Sequence, residues 1–250
     1  MREQPEQQAP PVQRVRIRYA KRGRLRFTSH RDFSRAFERA ILRAGIPMAY
    51  SSGFHPHPRI SYAGASPTGA ASEAEYLELG LAQEMDLSLL LGSLDESLPD
   101  GLDLVDAVVS RGGSLAERLE ASVWELTVSE VTRNELARAV ERLLAAEEVL
   151  VERMTKKGLR SFDARAAIVT LDARDCDTKH PDQGSCAILR VVLRHGTPSV
   201  RPDDVLAALR EISGAPIGTA ALAQRLAQGP LDPRDGTVSD PLAPDRDAAG

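Results

Sequence analysis

The chain has 250 residues, 42% of them hydrophobic, with a formal net charge of −4. That composition supports a packed core in one large or two small domains, and no apolar run is long enough to span a bilayer. Residues 1–62 carry 13 Lys and Arg against 4 Asp and Glu, whereas residues 63–130 carry 2 against 14. Such a division fits a polyanion contact at the basic end, and it fits mutual neutralisation of the two blocks equally well.

The first residues, MREQPEQQAPPVQ, are polar and proline-rich and lack an apolar signal region, which predicts a cytoplasmic protein. Residues 1–12 read as a disordered leader. From Gln13 to Ala20, Val15, Ile17 and Tyr19 alternate with Arg14, Arg16 and Arg18. This predicts a half-buried strand with a row of arginines on its open face. A basic turn with Arg24 and Arg26 follows, then a short strand at 25–27.

Ser29 with Asp32 forms an N-cap signal. Phe33, Ala36, Phe37, Ala40, Ile41 and Ala44 recur at helical spacing, while Arg31, Arg35, Arg39 and Arg43 stand four apart on a neighbouring face. Gly45 and Pro47 stop this helix. Short strands are predicted at 48–50, 59–63 and 74–81, a helix at 86–97 and a strand at 102–109. Thr132 and Glu135 make a capping box for a second-domain helix. That domain has strands at 123–128, 149–154, 164–171 and 186–193, and a second helix opened by Pro202.

The fold class is therefore α+β: two tandem ferredoxin-like units in a β-α-β-β-β-α pattern, antiparallel sheets with helices on one face. The predicted domains are 13–112 and 113–215. Residues 172–185 read as a polar hairpin loop. Residues 216–250 read as a short helix, at 219–228, and a disordered tail.

The chemistry concentrates around Gly53-Phe54-His55-Pro56-His57-Pro58-Arg59. Each histidine precedes a proline, which favours extended backbone at both. Three roles are open to His55 and His57: metal ligands lacking an evident third partner, general acid or base, or hydrogen-bonders that shape a contact surface. Glu75, on a strand face with Leu77 and Leu79, is a third catalytic candidate, and it is expected to find a cationic partner. Guanidinium groups suit bidentate contacts to phosphate. Arg16, Arg18, Arg24, Arg31, Arg35 and Arg59, with Phe54, His55 and His57, are therefore candidate nucleic-acid contacts, and Tyr62 is a candidate stacking ring. His30, near the helix start, could serve the same site. A second basic loop adds Lys156 and Lys157, and Asp163 and Arg165 beyond it could pair. Cys176 and Cys186 form no cluster motif, so neither metal nor cofactor is expected, and cytoplasmic thiols stay reduced.

The stretch LRFTSHRDFSRAFERAILRAGIPMAYSSGFHPHPRISYAGASPTGAASEAEYLEL resembles the hallmark of the radical-SAM-linked domain of unknown function, and KKGLRSFDARAAI is similar to its second motif. The resemblance covers residues 13 to about 215 and implies the stand-alone form, an accessory to a radical SAM protein. Its genomic neighbourhood of ribonuclease E/G and ribosomal proteins points to RNA. The expected function is a non-catalytic RNA-binding adaptor for tRNA or rRNA, with a radical SAM protein or ribonuclease as partner, and with neither DNA nor membrane. An RNA endonuclease or small-molecule enzyme using His55 and His57 is one alternative, and a protein-only scaffold is another.

Overall fold

The structure is a computed structural model and describes residues 7–155, 158–176 and 185–247. It is a mixed α+β protein with a mostly antiparallel sheet and five α-helices among the described residues. The chain forms two compact units. Unit 1 runs up to Arg118 and resumes at Asp240, while unit 2 spans Leu119–Ser239.

In unit 1, β1 (Gln13–Lys21) lies between β3 (Ala71–Leu81) and β4 (Leu102–Val109), and β2 (Ile60–Ala63) pairs with β3. The strand order is thus 4-1-3-2. Val15, Ile17 and Tyr19 of β1 and Leu77, Leu79 and Leu81 of β3 share one face. They form a core with Phe33, Phe37 and Ile41 of α1 (His30–Arg43) and with Leu90 and Leu94 of α2 (Leu87–Asp95). Ser29 caps α1 by accepting from the Asp32 N–H at 3.2 Å. Gly45 beyond the helix has φ of +64°, a conformation glycine adopts without Cβ strain.

The stretch expected as a strand at 25–27 is instead part of a 3-10 turn, Gly23–Phe27. Gly23, at φ +53°, turns the chain before a ladder can form. The 48–50 strand reduces to isolated bridges, Met48 to Leu81 and Tyr50 to Pro58. Of the predicted disordered leader, residues 1–6 lie outside the described residues. Beyond them the Gln8 N–H donates to Ser52 Oγ at 2.9 Å and the Val12 N–H to the Leu81 carbonyl at 2.8 Å.

In unit 2, β5 (Ala121–Ser129) and β9 (Cys186–Arg194) are central, flanked by β8 (Ile168–Asp175) and β10 (Ala220–Gly229), again in a 4-1-3-2 relation. The helices α3 (Arg133–Ala145) and α4 (Pro202–Ser213) pack on each other, and α3 covers β8 and β9. Thr132 and Glu135 form the capping box read from the sequence. The strands β6 (Leu150–Thr155) and β7 (Gly158–Asp163) make a separate hairpin before β8. The strand expected at 164–171 begins only at Ile168, as β8, after a 3-10 turn at Arg165–Ala167, and β7 has no counterpart among the predicted strands.

Two corrections concern the segment from 216 onward. The predicted helix at 219–228 is the strand β10, paired with β5 from Ala220 opposite Val128 to Gly229 opposite Ala121. Its Ala, Leu, Gln and Arg residues favour a helix, but a weak local preference yields to nine residues of waiting ladder on β5. The predicted disordered tail is ordered from Asp240 to Asp247 and ends in α5 (Ala243–Asp247), part of unit 1. A third correction concerns the thiols. Cys176 and Cys186 are joined as a disulfide, because β8–β9 pairing brings their Cα atoms to 5.8 Å, within disulfide range. The tip of that predicted loop, 177–184, lies outside the described residues.

The ring of His195 in unit 2 is held between two partners. Its Nδ1 lies 2.7 Å from the Leu119 carbonyl and its Nε2 3.0 Å from Ser122 Oγ. The carbonyl can only accept, so Nδ1 carries the proton. Ser122 Oγ accepts from Trp124 Nε1 at 2.8 Å and donates to Nε2. Burial lowers the pKa of His195 from its ordinary value, and the charge of Arg225 acts in the same direction. The unfolded chain therefore takes up the proton first. Stability is full above the unfolded pKa of about 6.5 and falls as the pH drops toward the lower folded value. Urea midpoints at pH 7.5 and 5.5 are expected to differ more for the native chain than for His195→Gln. Equal differences would refute this role.

Candidate functional site

The histidine–proline segment is a hairpin at the edge of unit 1. The Ser51 N–H donates to the His57 carbonyl at 2.9 Å, and the His57 N–H returns to Ser51 Oγ at 3.0 Å. Proline removes two further donors from the loop, so the side-chain hydroxyl of Ser51 closes what the backbone cannot. Gly53 at the tip has φ of +135°. Phe54 is 65% exposed there, and His55 and His57 are exposed beside it.

A cleft of about 270 Å³ lies at the base of the hairpin, with Arg14, Arg59, His57, Ser61 and Glu78 among its walls. Arg59 donates through Nε to the Tyr50 carbonyl at 3.0 Å, which fixes the plane of its guanidinium. Gly80 forms part of the floor. A Cβ there would stand 2.8 Å from Pro11 Cγ and 3.1 Å from Arg59 Cβ, so glycine leaves room for these two side chains against β3.

The basic residues expected to act together fall on two sides of unit 1. Val15, Ile17 and Tyr19 face the helices, so Arg14, Arg16 and Arg18 face the other way. On that far face acids from the 63–130 block meet them. Arg14 Nη1 and Arg16 Nε both bond Glu78, each at 2.9 Å. Arg18 Nε donates to the Glu73 carbonyl at 2.8 Å, and Arg22 pairs with Glu73 and Asp103. Burial works against the ionised form of Glu78, but the bonds from Arg16 and Arg14 prevail and hold its pKa below the ordinary value.

Arg16 is a correction. It is 0% exposed and cannot contact nucleic acid. Its Nη1 bonds Asp245 at 2.7 Å, and its Nη2 bonds the Gly112 and Gly113 carbonyls at 3.0 and 2.5 Å. Arg118 joins the same carboxylate at 2.6 Å. The C-terminal segment covers the face that alternation marks as open.

The helix side is different. Arg24, Arg31, Arg35 and Arg39 are exposed, and among the described residues none of them meets a carboxylate. Phe27 is exposed next to them, under the Arg26 guanidinium at 4.5 Å. His30 is exposed at the start of α1. Tyr62 is not a stacking surface. Its ring meets those of His30 and Phe33 edge-on at 5.0 and 5.6 Å, and burial pushes its pKa up to about 12.

Glu75 is 2% exposed and accepts from the Ser66 N–H at 3.1 Å. It shares the helix-side face with Leu77, whereas His57 lines the cleft with Glu78 and Gly80 on the far face. The three catalytic candidates are therefore not brought together. In unit 2, Asp163 does not form the expected ion pair with Arg165. Its carboxylate accepts from the backbone N–H groups of Val149, Arg165 and Ala166 at 3.0, 2.9 and 3.2 Å. Lys156 and Lys157 lie outside the described residues. Among the described residues no helix is long and apolar enough to cross a membrane, and no group of three or more His, Cys, Asp or Glu could hold a metal ion.

Sequence reasoning missed Glu78, Arg118 and Asp245. Glu78 breaks an apolar strand, which was a visible signal. Asp245 stands in a Pro- and Asp-rich segment with no local pattern to mark it.

Fold and site together define an α+β protein with an arginine-faced helix and a histidine–proline hairpin over a small polar cleft. The chain belongs to the family described as "Uncharacterized protein conserved in bacteria (DUF2344)", whose model matches residues 14–202. No curated protein matches the chain. A solved chain described as "Crystal Structure of a Cbf5-Nop10-Gar1 Complex" is similar to it at 9% identity and a TM-score of 0.48, covering 90% of this chain. The present chain spans 56% of that one.

Proposed function

We propose that the protein is a non-catalytic RNA-binding accessory protein that presents the outer face of α1 to tRNA or rRNA. The observation that carries this reading is the set Arg24, Arg31, Arg35 and Arg39, exposed and without a carboxylate among the described residues. On the far face of β1, Arg14, Arg16 and Arg22 pair with acids, whereas the α1 side keeps a positive field that phosphates can meet. Each unit is read as ferredoxin-like, supported by the 4-1-3-2 strand order in both. The partner is read as a radical SAM modification enzyme or a ribonuclease, on the resemblance of the hairpin motif, and the compartment as the cytoplasm. The placement of Glu75 and His57 on opposite faces favours binding over catalysis by that pair.

Filter binding of the full chain to tRNA and to rRNA fragments tests the reading. Affinity is expected to fall steeply with salt, with a slope of about 0.7–0.9 per phosphate contacted. Arg31→Glu/Arg35→Glu is expected to weaken binding at least about tenfold at low salt, through two reversed charges. Absence of RNA affinity in the native chain, or unchanged affinity in the double variant, would overturn it.

A further inference from the structure

We infer that the cleft beneath the hairpin is a binding site for a single terminal phosphate, carried by a nucleotide or by the end of an RNA strand. This site lies on the sheet face away from the α1 arginines and uses none of them.

The argument starts from which donors in the cleft are already used. Arg59 spends only Nε, on the Tyr50 carbonyl, and among the described residues both its Nη atoms lack a partner. A guanidinium held at one edge, with the other edge open to a cavity, has the geometry of a bidentate oxyanion contact. Arg14 uses one Nη on Glu78 and keeps the other. The His57 imidazole brings at least one N–H donor in either neutral tautomer. The Ser61 hydroxyl lies on the same wall. The backbone under His57 is pinned through Ser51, so this donor set is assembled before a ligand arrives.

Glu78 is the one acid in this wall, and it needs explanation. Its two oxygens accept from Arg14 and Arg16, which is fully buried behind it. Its charge is thus already matched, and the lowered pKa expresses the same excess of cation. Counting Arg14, Arg59 and Glu78 alone, the cleft carries one net positive charge at neutral His57. A dianionic phosphomonoester gains more from this field than a monoanionic backbone diester does.

Size points the same way. At about 270 Å³ the cleft is just below the usual range for small-molecule sites. It has room for a phosphoryl group and a sugar. Pro11, against Gly80, forms part of its lining.

The test uses the full chain and two probes. In calorimetry, adenosine 5′-monophosphate is titrated against adenosine. In parallel, a short RNA carrying a 5′-phosphate is compared with the same RNA ending in a 5′-hydroxyl. A preference for the phosphorylated form of at least about tenfold is expected in one or both pairs, as two charge-assisted hydrogen bonds require. A preference in the RNA pair identifies a strand end as the source, and a preference confined to the nucleotide identifies a free ligand. Arg59→Met is expected to abolish the preference. Arg59→Lys is expected to retain part of it, since the charge stays and the fork is lost. Arg31→Glu/Arg35→Glu is expected to leave it intact, so this test and that of the α1 face fail separately. Circular dichroism of each variant establishes that it is folded. No preference in either pair, or a preference that survives in folded Arg59→Met, overturns the inference.

Discussion

Replacing Asp245 by alanine is expected to destabilise unit 1 by about 3–5 kcal/mol, the range for removing one partner of a buried ion pair. Both Arg16 and Asp245 have side chains with 0% exposure, 2.7 Å apart. The carboxylate also holds Arg118 and the Arg111 N–H, the latter at 2.9 Å. Burial alone would raise the pKa of Asp245, but the bonds from Arg118, Arg111 and Arg16 outweigh it and the pKa is lowered. The sign follows from that direction. The stabilisation is present above the unfolded pKa of about 3.9 and is lost as the pH falls through the folded value. In Asp245→Ala, Arg16 keeps Glu78 and two carbonyls but has lost its buried counter-charge. Hydrogen exchange at the β1 amides and urea unfolding followed by circular dichroism measure the loss. Arg16→Met/Asp245→Leu is expected to recover most of it, because the cost lies in the charge left behind rather than in the lost contact. A loss under about 1 kcal/mol in Asp245→Ala would show that water reaches the cluster readily.

Phe37→Ala is expected to cost a similar amount, about 3–5 kcal/mol, by a different mechanism. Phe37 is 0% exposed, with its ring 5.7 Å from that of Phe33 and 6.5 Å from that of Tyr19. Tyr19 and Phe33 stack at 4.8 Å, so three aromatic rings join α1 to β1. Truncation removes the middle of α1's buried stripe, and a close-packed neighbourhood refills such a space only in part. Thermal unfolding is expected to shift down by on the order of 10 °C for a chain of this size. Phe37→Leu, which keeps most of the volume, is expected to lose less than half as much. Equal losses for the two variants would mean that the site does not distinguish a cavity from a reshaped core. The α1 arginines depend on this joint, since they hold their places only while the helix is docked.

Local signals carried the parts of this fold that local chemistry builds. Ser29 with Asp32, the apolar stripe from Phe33 to Ile41, and the Thr132–Glu135 box each satisfy a helix within a few residues, so spacing alone exposes them. The hairpin was legible as a stiff segment because proline acts on its own neighbour. Long-range pairings were not legible. Arg16 alternates with Val15 and Ile17 as a surface residue would, yet the group that buries it lies 229 positions away. In β10 the residues favour a helix, and the edge of β5 decides otherwise. The charge division was visible, and its neutralisation reading holds on the far face of β1. The acid block neutralises the strand arginines and leaves those of α1 free of carboxylates among the described residues.

The return of the segment from Asp240 to unit 1 has a consequence for biosynthesis. A ribosome makes β1, α1, the hairpin and Glu78 early, but the second carboxylate that meets Arg16, Asp245, is made only after all of unit 2. Until then Arg118 lacks Asp245 and Arg16 has Glu78 alone, a carboxylate it shares with Arg14, so β1 cannot bury its second face without burying charge that is only partly compensated. Unit 1 therefore closes only after unit 2 has every one of its strands in hand, since β10 ends at Gly229, well before Asp245.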